Sequence, residues 1–165
     1  MPLPRGYEIE LLEGGVAGGS AAAEELLAFW AAHTTIDAEA ARARLPHVVC
    51  LLRDGSGAVA ASSSAVDSSV GQIGGRRFWV YRCLTPSAAA RDAVEPMLLA
   101  VRRHLTGRVG ADGVRPIGIC FPVADPELIA ERDEAVWPDS GMLFAGWTQN
   151  DEQLRISYFD GALIL

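Results

Sequence analysis

The chain contains no lysine: all 14 of its Lys and Arg positions are arginine, set against 21 acidic residues for a formal net charge of −7. Nucleic-acid affinity rests on clustered cations that displace counterions from phosphates, so this balance argues against a nucleic-acid partner. The nearest approach to a basic patch is Arg76-Arg77 and Arg102-Arg103. The second pair falls in a helical pattern, where a solvated face accounts for it. Half of the residues are apolar, yet no run approaches the ~20 consecutive apolar residues of a membrane span. The opening Met1-Pro2-Leu3-Pro4-Arg5-Gly6 lacks the apolar core of a signal peptide. The expectation is a soluble, cytoplasmic protein without a membrane partner. Cysteine is scarce: Cys50, Cys83 and Cys120 stand far apart in apolar runs, with no C-x-x-C pair. They read as buried thiols in a reducing compartment. His33, His47 and His104 share no metal-ligand spacing, so no metal is expected. Walker-type, G-x-G-x-x-G and G-x-S-x-G signatures are also missing.

A chain of 165 residues is the size of one domain and buries roughly two-thirds of its unfolded surface. No linker, repeat or low-complexity tail interrupts it, so residues 1–165 are read as a single domain. Tyr7 to Leu12 alternates as a strand. Ser20 then caps a helix whose apolar stripe is Leu26, Leu27 and Trp30, and Asp37 restarts a short helix that ends at Leu45-Pro46. His47–Arg53 and Ala58–Val66 flank the turn Asp54-Gly55-Ser56-Gly57 as a hairpin. Asp67 to Gly75 reads as a polar connection, and Arg77 to Leu84 as the best strand of the chain, near the sheet centre.

Val94, Met97, Leu98, Val101 and Leu105 recur at helical spacing, placing the longest helix within Ala88 to Thr106. Pro96 is tolerated only in a first turn, because deeper it costs on the order of 3 kcal/mol. The helix therefore kinks there or starts late with Asp92 as N-cap; the late start is the reading carried forward. Pro116 to Val123 follows as a strand, and Asp125-Pro126-Glu127 opens a helix running to about Ala135. Met142–Thr148 and Leu154–Phe159 close the chain as an antiparallel pair. If these two strands are exposed, they offer edges for a homodimer.

This order of strand, two helices, hairpin, central strand, long helix, strand, helix and strand pair resembles the GNAT N-acetyltransferase fold over nearly the whole chain. The resemblance implies an α/β (α+β) fold with a mixed, mostly antiparallel central sheet of about six to seven strands flanked by helices. It also implies acetyl-CoA or another acyl-CoA as co-substrate, with a small-molecule or peptide amine as acceptor. In that family the central strand splays from its neighbour and the pantetheine arm pairs with the exposed backbone. The pyrophosphate sits on the N-terminus of the long helix in a Q/R-x-x-G-x-G/A motif, a use of free helix-start N–H groups and the macrodipole. Carried onto this chain, the arm would run along Cys83, Leu84 and Thr85 and the diphosphate would meet Arg91, Ala93 and Val94.

The motif itself is degenerate. With Arg91 in first place, Val94 and Pro96 stand where glycines are expected; with Ala89 in first place, Asp92 and Val94 do. Under the first register Pro96 offers no N–H, and one hydrogen bond to a charged group is worth ~1.5–3 kcal/mol. Asp92 adds like-charge repulsion of roughly 0.3–1 kcal/mol. Together these cost roughly thirty- to a thousand-fold in affinity, which Arg91 offsets in part if it pairs with a phosphate. A non-catalytic module built on the same fold is the alternative.

Acyl transfer from a thioester to an amine needs a base for the ammonium and an acid for the leaving thiolate. Many relatives in the family use a tyrosine on the helix after the fifth strand as that acid, but Asp125 to Ala135 contains none. Tyr158 and Tyr81 are the tyrosines left to face the cleft, with core or rim packing as their alternative. Glu127, Asp160 or a water-bridged carboxylate is available as the base. Tyr158 and Glu127 are carried forward as the catalytic pair.

Overall fold

A computed structural model describes residues 2–164. Among them, seven strands form one sheet in the order β1-β2-β3-β4-β5-β7-β6, accompanied by five α-helices. The pairs β1–β2, β2–β3, β5–β7 and β6–β7 are antiparallel, and β4–β5 is parallel. The fold is therefore α+β with a mixed, mostly antiparallel sheet, consistent with a GNAT-like class. Among the described residues, no helix is long and apolar enough to cross a membrane. The chain divides into two compact units, one of Pro2–Ser64 with Cys83–Met97 and the other of residues 65–82 with 98–164.

In the first unit, β1 (Glu8–Leu11) pairs with β2 (Val48–Arg53), which pairs in turn with the first half of β3 (Val59–Val70). α1 (Ala21–His33) starts where Ser20 Oγ accepts the Ala23 N–H at 3.1 Å. It buries Ala23, Leu26 and Trp30 in a core shared with Val48 and Leu51. Ser62 of β3 lies inside with a partner there: Trp30 Nε1 donates to Ser62 Oγ at 2.9 Å. A buried indole N–H left without an acceptor costs about 1–3 kcal/mol. α2 (Ala38–Arg44) is capped by Asp37, whose Oδ1 accepts from Ala40 N at 2.9 Å. At the hairpin, Asp54 takes the Ser56 hydroxyl and the Ser56 and Ala58 N–H groups, which together hold its carboxyl below the usual range. Arg53 binds both Glu10 and Glu25, and these acceptors raise its pKa.

The same unit carries the start of the long helix, and here the structure departs from expectation. A five-residue helix, α3 (Ala88–Asp92), comes first, and the regular helix α4 (Val94–Leu105) restarts two residues later. Asp92 is thus the last residue of a helix and not an N-cap. The cause is Pro96: it lacks the N–H that would reach the carbonyl of Asp92, and its ring clashes with that same carbonyl. Ala93 absorbs the break at φ −85° and ψ −3°, and Pro96 falls in the first turn of the restarted helix.

In the second unit, β5 (Gly118–Val123) runs beside β7 (Gln153–Tyr158) from Gly118–Tyr158 to Val123–Gln153. Glycine is needed at 118 because a Cβ there would lie 2.1 Å from the Ser157 carbonyl oxygen. β6 (Leu143–Trp147) pairs with the far side of β7 and forms the sheet edge. Of the two terminal strands expected to offer edges, only β6 has one; β7 is enclosed by β5 and β6. α5 (Pro126–Glu131) opens as expected, with Asp125 Oδ1 accepting from Glu127 N at 2.9 Å, but ends before Ala135. β3 extends through Asp67 to Val70 where a loop was expected, since Asp67 pairs with Arg77 of β4 (Arg76–Leu84) and Ser69 Oγ donates to the Gly75 carbonyl. Arg155 is fully buried beneath the Trp137 ring. It donates to Gln153 Oε1 and to the carbonyls of Arg132, Glu134 and Met142, which ties the connection before β6 to the sheet.

Candidate functional site

β4 and β5 pair through Trp79–Ile119 and Val80–Cys120. Beyond those pairs, β4 continues to Tyr81 and Arg82, and β5 to Phe121, Pro122 and Val123, with no register between them. Pro122 has no N–H to give to a ladder. On its other edge β5 stays bonded to β7 as far as Val123–Gln153. The parting therefore affects one edge of β5 and opens toward its C-terminal end.

A cavity of about 290 Å³ lies against this parting. Side chains alternate along a strand, so Val80 and Arg82 of β4 share one face, as do Cys120 and Pro122 of β5; with Leu154 and Val70 they line the cavity. Ser69 near the end of β3 and Gln72 just after it also line the cavity, as do Thr148, Asn150 and Glu152 from the β6–β7 turn. Across it, Arg82 forms an ion pair with Glu152, and Arg82 Nη1 also reaches the Pro122 carbonyl at 3.4 Å.

The turn that presents Glu152 is tightly bonded. Thr148 N donates to the Glu152 carbonyl at 2.9 Å. Thr148 Oγ1 accepts from Asn150 N and Glu152 N and donates to Glu152 Oε2 at 3.3 Å. Asp151 holds a left-handed φ of 58° within this turn, a conformation that side-chained residues adopt at some cost in strain. Cys120 forms part of the cavity wall, but burial pushes its thiol up to about 11, with Arg82 drawing it back. It is thus protonated at neutral pH and a poor nucleophile.

The residues expected to hold the acyl carrier are all found in the first unit. Cys83 is a half-buried thiol in no disulfide near the end of β4, Leu84 packs against the core of that unit, and Thr85 is buried just beyond. Arg91 is half-buried on α3, and Ala93 and Val94 are buried at the break between α3 and α4. The amides of this stretch are largely engaged. Ser87 Oγ accepts the Ala90 N–H at 3.2 Å and the Ser87 carbonyl accepts the Arg91 N–H at 2.9 Å. Ala93 N donates to the Ala90 carbonyl and Met97 N to that of Ala93. The amides of Ala90, Arg91, Ala93 and Met97 are therefore taken up within the chain.

Tyr158 and Glu127 are not brought together. Tyr158 lies beside Gly118, on the far side of the last β4–β5 pair from the parting. Its ring packs at 5.7 Å from that of Phe78, and its carbonyl accepts from Arg102 Nη2 at 2.9 Å. Glu127 is exposed in the first turn of α5, just past the opposite end of β5. With the length of β5 between them, about 3.3 Å per residue, the two cannot serve one reacting nitrogen. Tyr81, the other tyrosine considered, is fully buried with its ring edge-on to Phe121. Asp160 is exposed and pairs with Arg102.

Arg82 and Glu152 were not singled out by sequence reasoning. The available signal was a charged residue directly after the Asn150-Asp151 turn and ahead of an apolar strand, matched by an arginine in the most aromatic strand. Among the described residues, no group of three or more His, Cys, Asp or Glu is placed to hold a metal ion. The chain matches no protein-family model, and no curated protein matches it in sequence.

Proposed function

We propose that the protein is an acyl-CoA-dependent N-acyltransferase that moves an acetyl or other acyl group from a thioester to an amine. The observation that carries this reading is the parting of β4 from β5 beyond Val80–Cys120. The pantetheine arm of an acyl-CoA is an extended chain with two amide groups, and a released strand edge offers it main-chain donors and acceptors in the manner of strand addition. The element order and the sheet order support the same reading. In the reaction the amine nitrogen attacks the thioester carbonyl carbon, the C–S bond breaks and the amide C–N bond forms. The incoming ammonium gives up two protons; the thiolate takes one and solvent takes the other.

A second reading is a non-catalytic module that has given up nucleotide binding, and the self-capped start of α3 favours it. With Ser87 taking the Ala90 and Arg91 amides, a diphosphate finds fewer donors at the start of α3. Calorimetric titration with acetyl-CoA and with acetyl-pantetheine separates the two. The acyltransferase reading expects both donors to bind within about tenfold of each other, since the diphosphate adds little, and a thiol-reactive dye to report free thiol once a panel of amines is added. Failure of either donor to bind at millimolar concentration overturns it.

A further inference from the structure

The cavity against the parting holds two opposite charges on an otherwise uncharged wall, Arg82 from β4 and Glu152 from the β6–β7 turn. Glu152 is largely withdrawn from solvent, with a side-chain exposure of 14%, whereas that of Arg82 is 44%. Both are fixed before any ligand arrives. Glu152 is anchored by the Thr148 hydroxyl and by Arg82, and Arg82 by Glu152 and the Pro122 carbonyl. These contacts use Nη1 of Arg82 and one side of Nη2. Its Nε–H has no acceptor among the described residues, and the Nε–Nη2 edge is the fork that receives a carboxylate bidentately. Val70, Val80, Cys120 and Leu154 contribute a small apolar floor, while most of the surface exposed to the cavity is polar.

We infer that this cavity binds a small zwitterion of the α-amino acid class. Its carboxylate takes the free edge of Arg82, its ammonium lies against Glu152, and its side chain rests on the apolar floor. Charges then alternate around the site, so neither protein charge loses its partner on binding. A volume of about 290 Å³ is at the bottom of the range for ligand pockets; it suits one metabolite and excludes a peptide of several residues. A simple amine leaves the Arg82 fork empty, and a simple carboxylate adds a like charge beside Glu152. That the bound amine is then acylated rests on the acyl-transfer reading above; the binding itself does not.

The test uses the full wild-type chain. Melting temperature is read with each of the common amino acids at millimolar concentration, and the best is titrated by calorimetry beside its methyl ester and its N-acetyl form. At least one amino acid raises the melting temperature, and each masked form binds at least about tenfold more weakly, the loss of one charged contact. Arg82→Gln and Glu152→Gln weaken the amino acid to a similar degree, with circular dichroism as the check on folding; the masked ligands give the same answer without any variant. If no amino acid shifts the melt, or if the ester binds as well as the free acid, the inference is overturned. Acetyl-CoA is titrated separately: binding of acetyl-CoA without any amino acid removes this inference alone, and binding of an amino acid without acetyl-CoA removes the acyl-transfer reading alone.

Discussion

The two halves of the β4–β5 strand pair are made very differently. In the closed half, Ile117 N donates to the Arg77 carbonyl and Phe159 N to that of Ile117, Gly118 allows β5 and β7 to touch backbone to backbone, and Phe78 stacks against Tyr158. In the parted half the ladder stops, and on the face beside it a guanidinium pairs with a carboxylate from the β6–β7 turn. One half spends its polar groups on the sheet; the other has no β4–β5 register, and it is there that the proposed ligands would bind. On the proposed reading, stability and binding belong to opposite ends of the same two strands.

Substitutions at the two ends should reflect that division. The largest effect belongs to Gly118→Ala, whose Cβ would press on the Ser157 carbonyl and lie 2.9 Å from the Tyr158 Cα. Because backbone cannot yield as a side chain can, a loss of roughly 3 kcal/mol is expected in urea denaturation. A loss below about 1 kcal/mol would mean that the closed end is not the firm one.

Next comes alkaline stability, through Cys120 at the boundary between the halves. Burial raises its thiol from 9.0 to about 11, so the folded state favours the neutral form. The stability it contributes is whole below pH 9 and is lost as pH rises toward about 11. The Cys120→Ala variant should show a flatter decline of the urea midpoint over that window, and an unchanged slope would refute the assignment.

At the open end, Arg82→Gln should lower stability by only about 1 kcal/mol, because Arg82 is nearly half exposed even though Glu152 is more withdrawn, even where it removes ligand binding. The smallest effect is expected for Tyr158→Phe. If acyl transfer is established, its rate should stay within about threefold of wild type, whereas removal of a general acid costs on the order of a hundredfold or more. A large drop in kcat would return Tyr158 to the chemistry and break the division between the halves.

Much of the fold was legible because its signals are local. Ser20, Asp37 and Asp125 were readable as caps, since a cap acts on amides two or three residues away. The turn at Asp54 and the apolar stripe of Leu26 and Trp30 were readable for the same reason. Pro96 announced a disturbance in the long helix, but where the helix restarts depended on Ser87 capping a short turn before it. The extension of β3 to Val70 was hidden, because the partner of Asp67 is an arginine in the next strand and polarity alone reads as loop. The site was least legible of all: 70 residues separate Arg82 from Glu152.

The sequence by itself determined the order of elements, their caps and turns, and the acidic balance that argues against a nucleic-acid partner, all of them consequences of residue type and short spacing. Only the tertiary structure decided that β7 lies between β5 and β6, that Arg155 is interior while Arg82 faces a cavity, and that β4 and β5 separate past Val80. Those outcomes depend on which strands become neighbours. Strand pairing brings together groups far apart along the chain, and an arginine reads the same in sequence whether a carbonyl, a carboxylate or water awaits it.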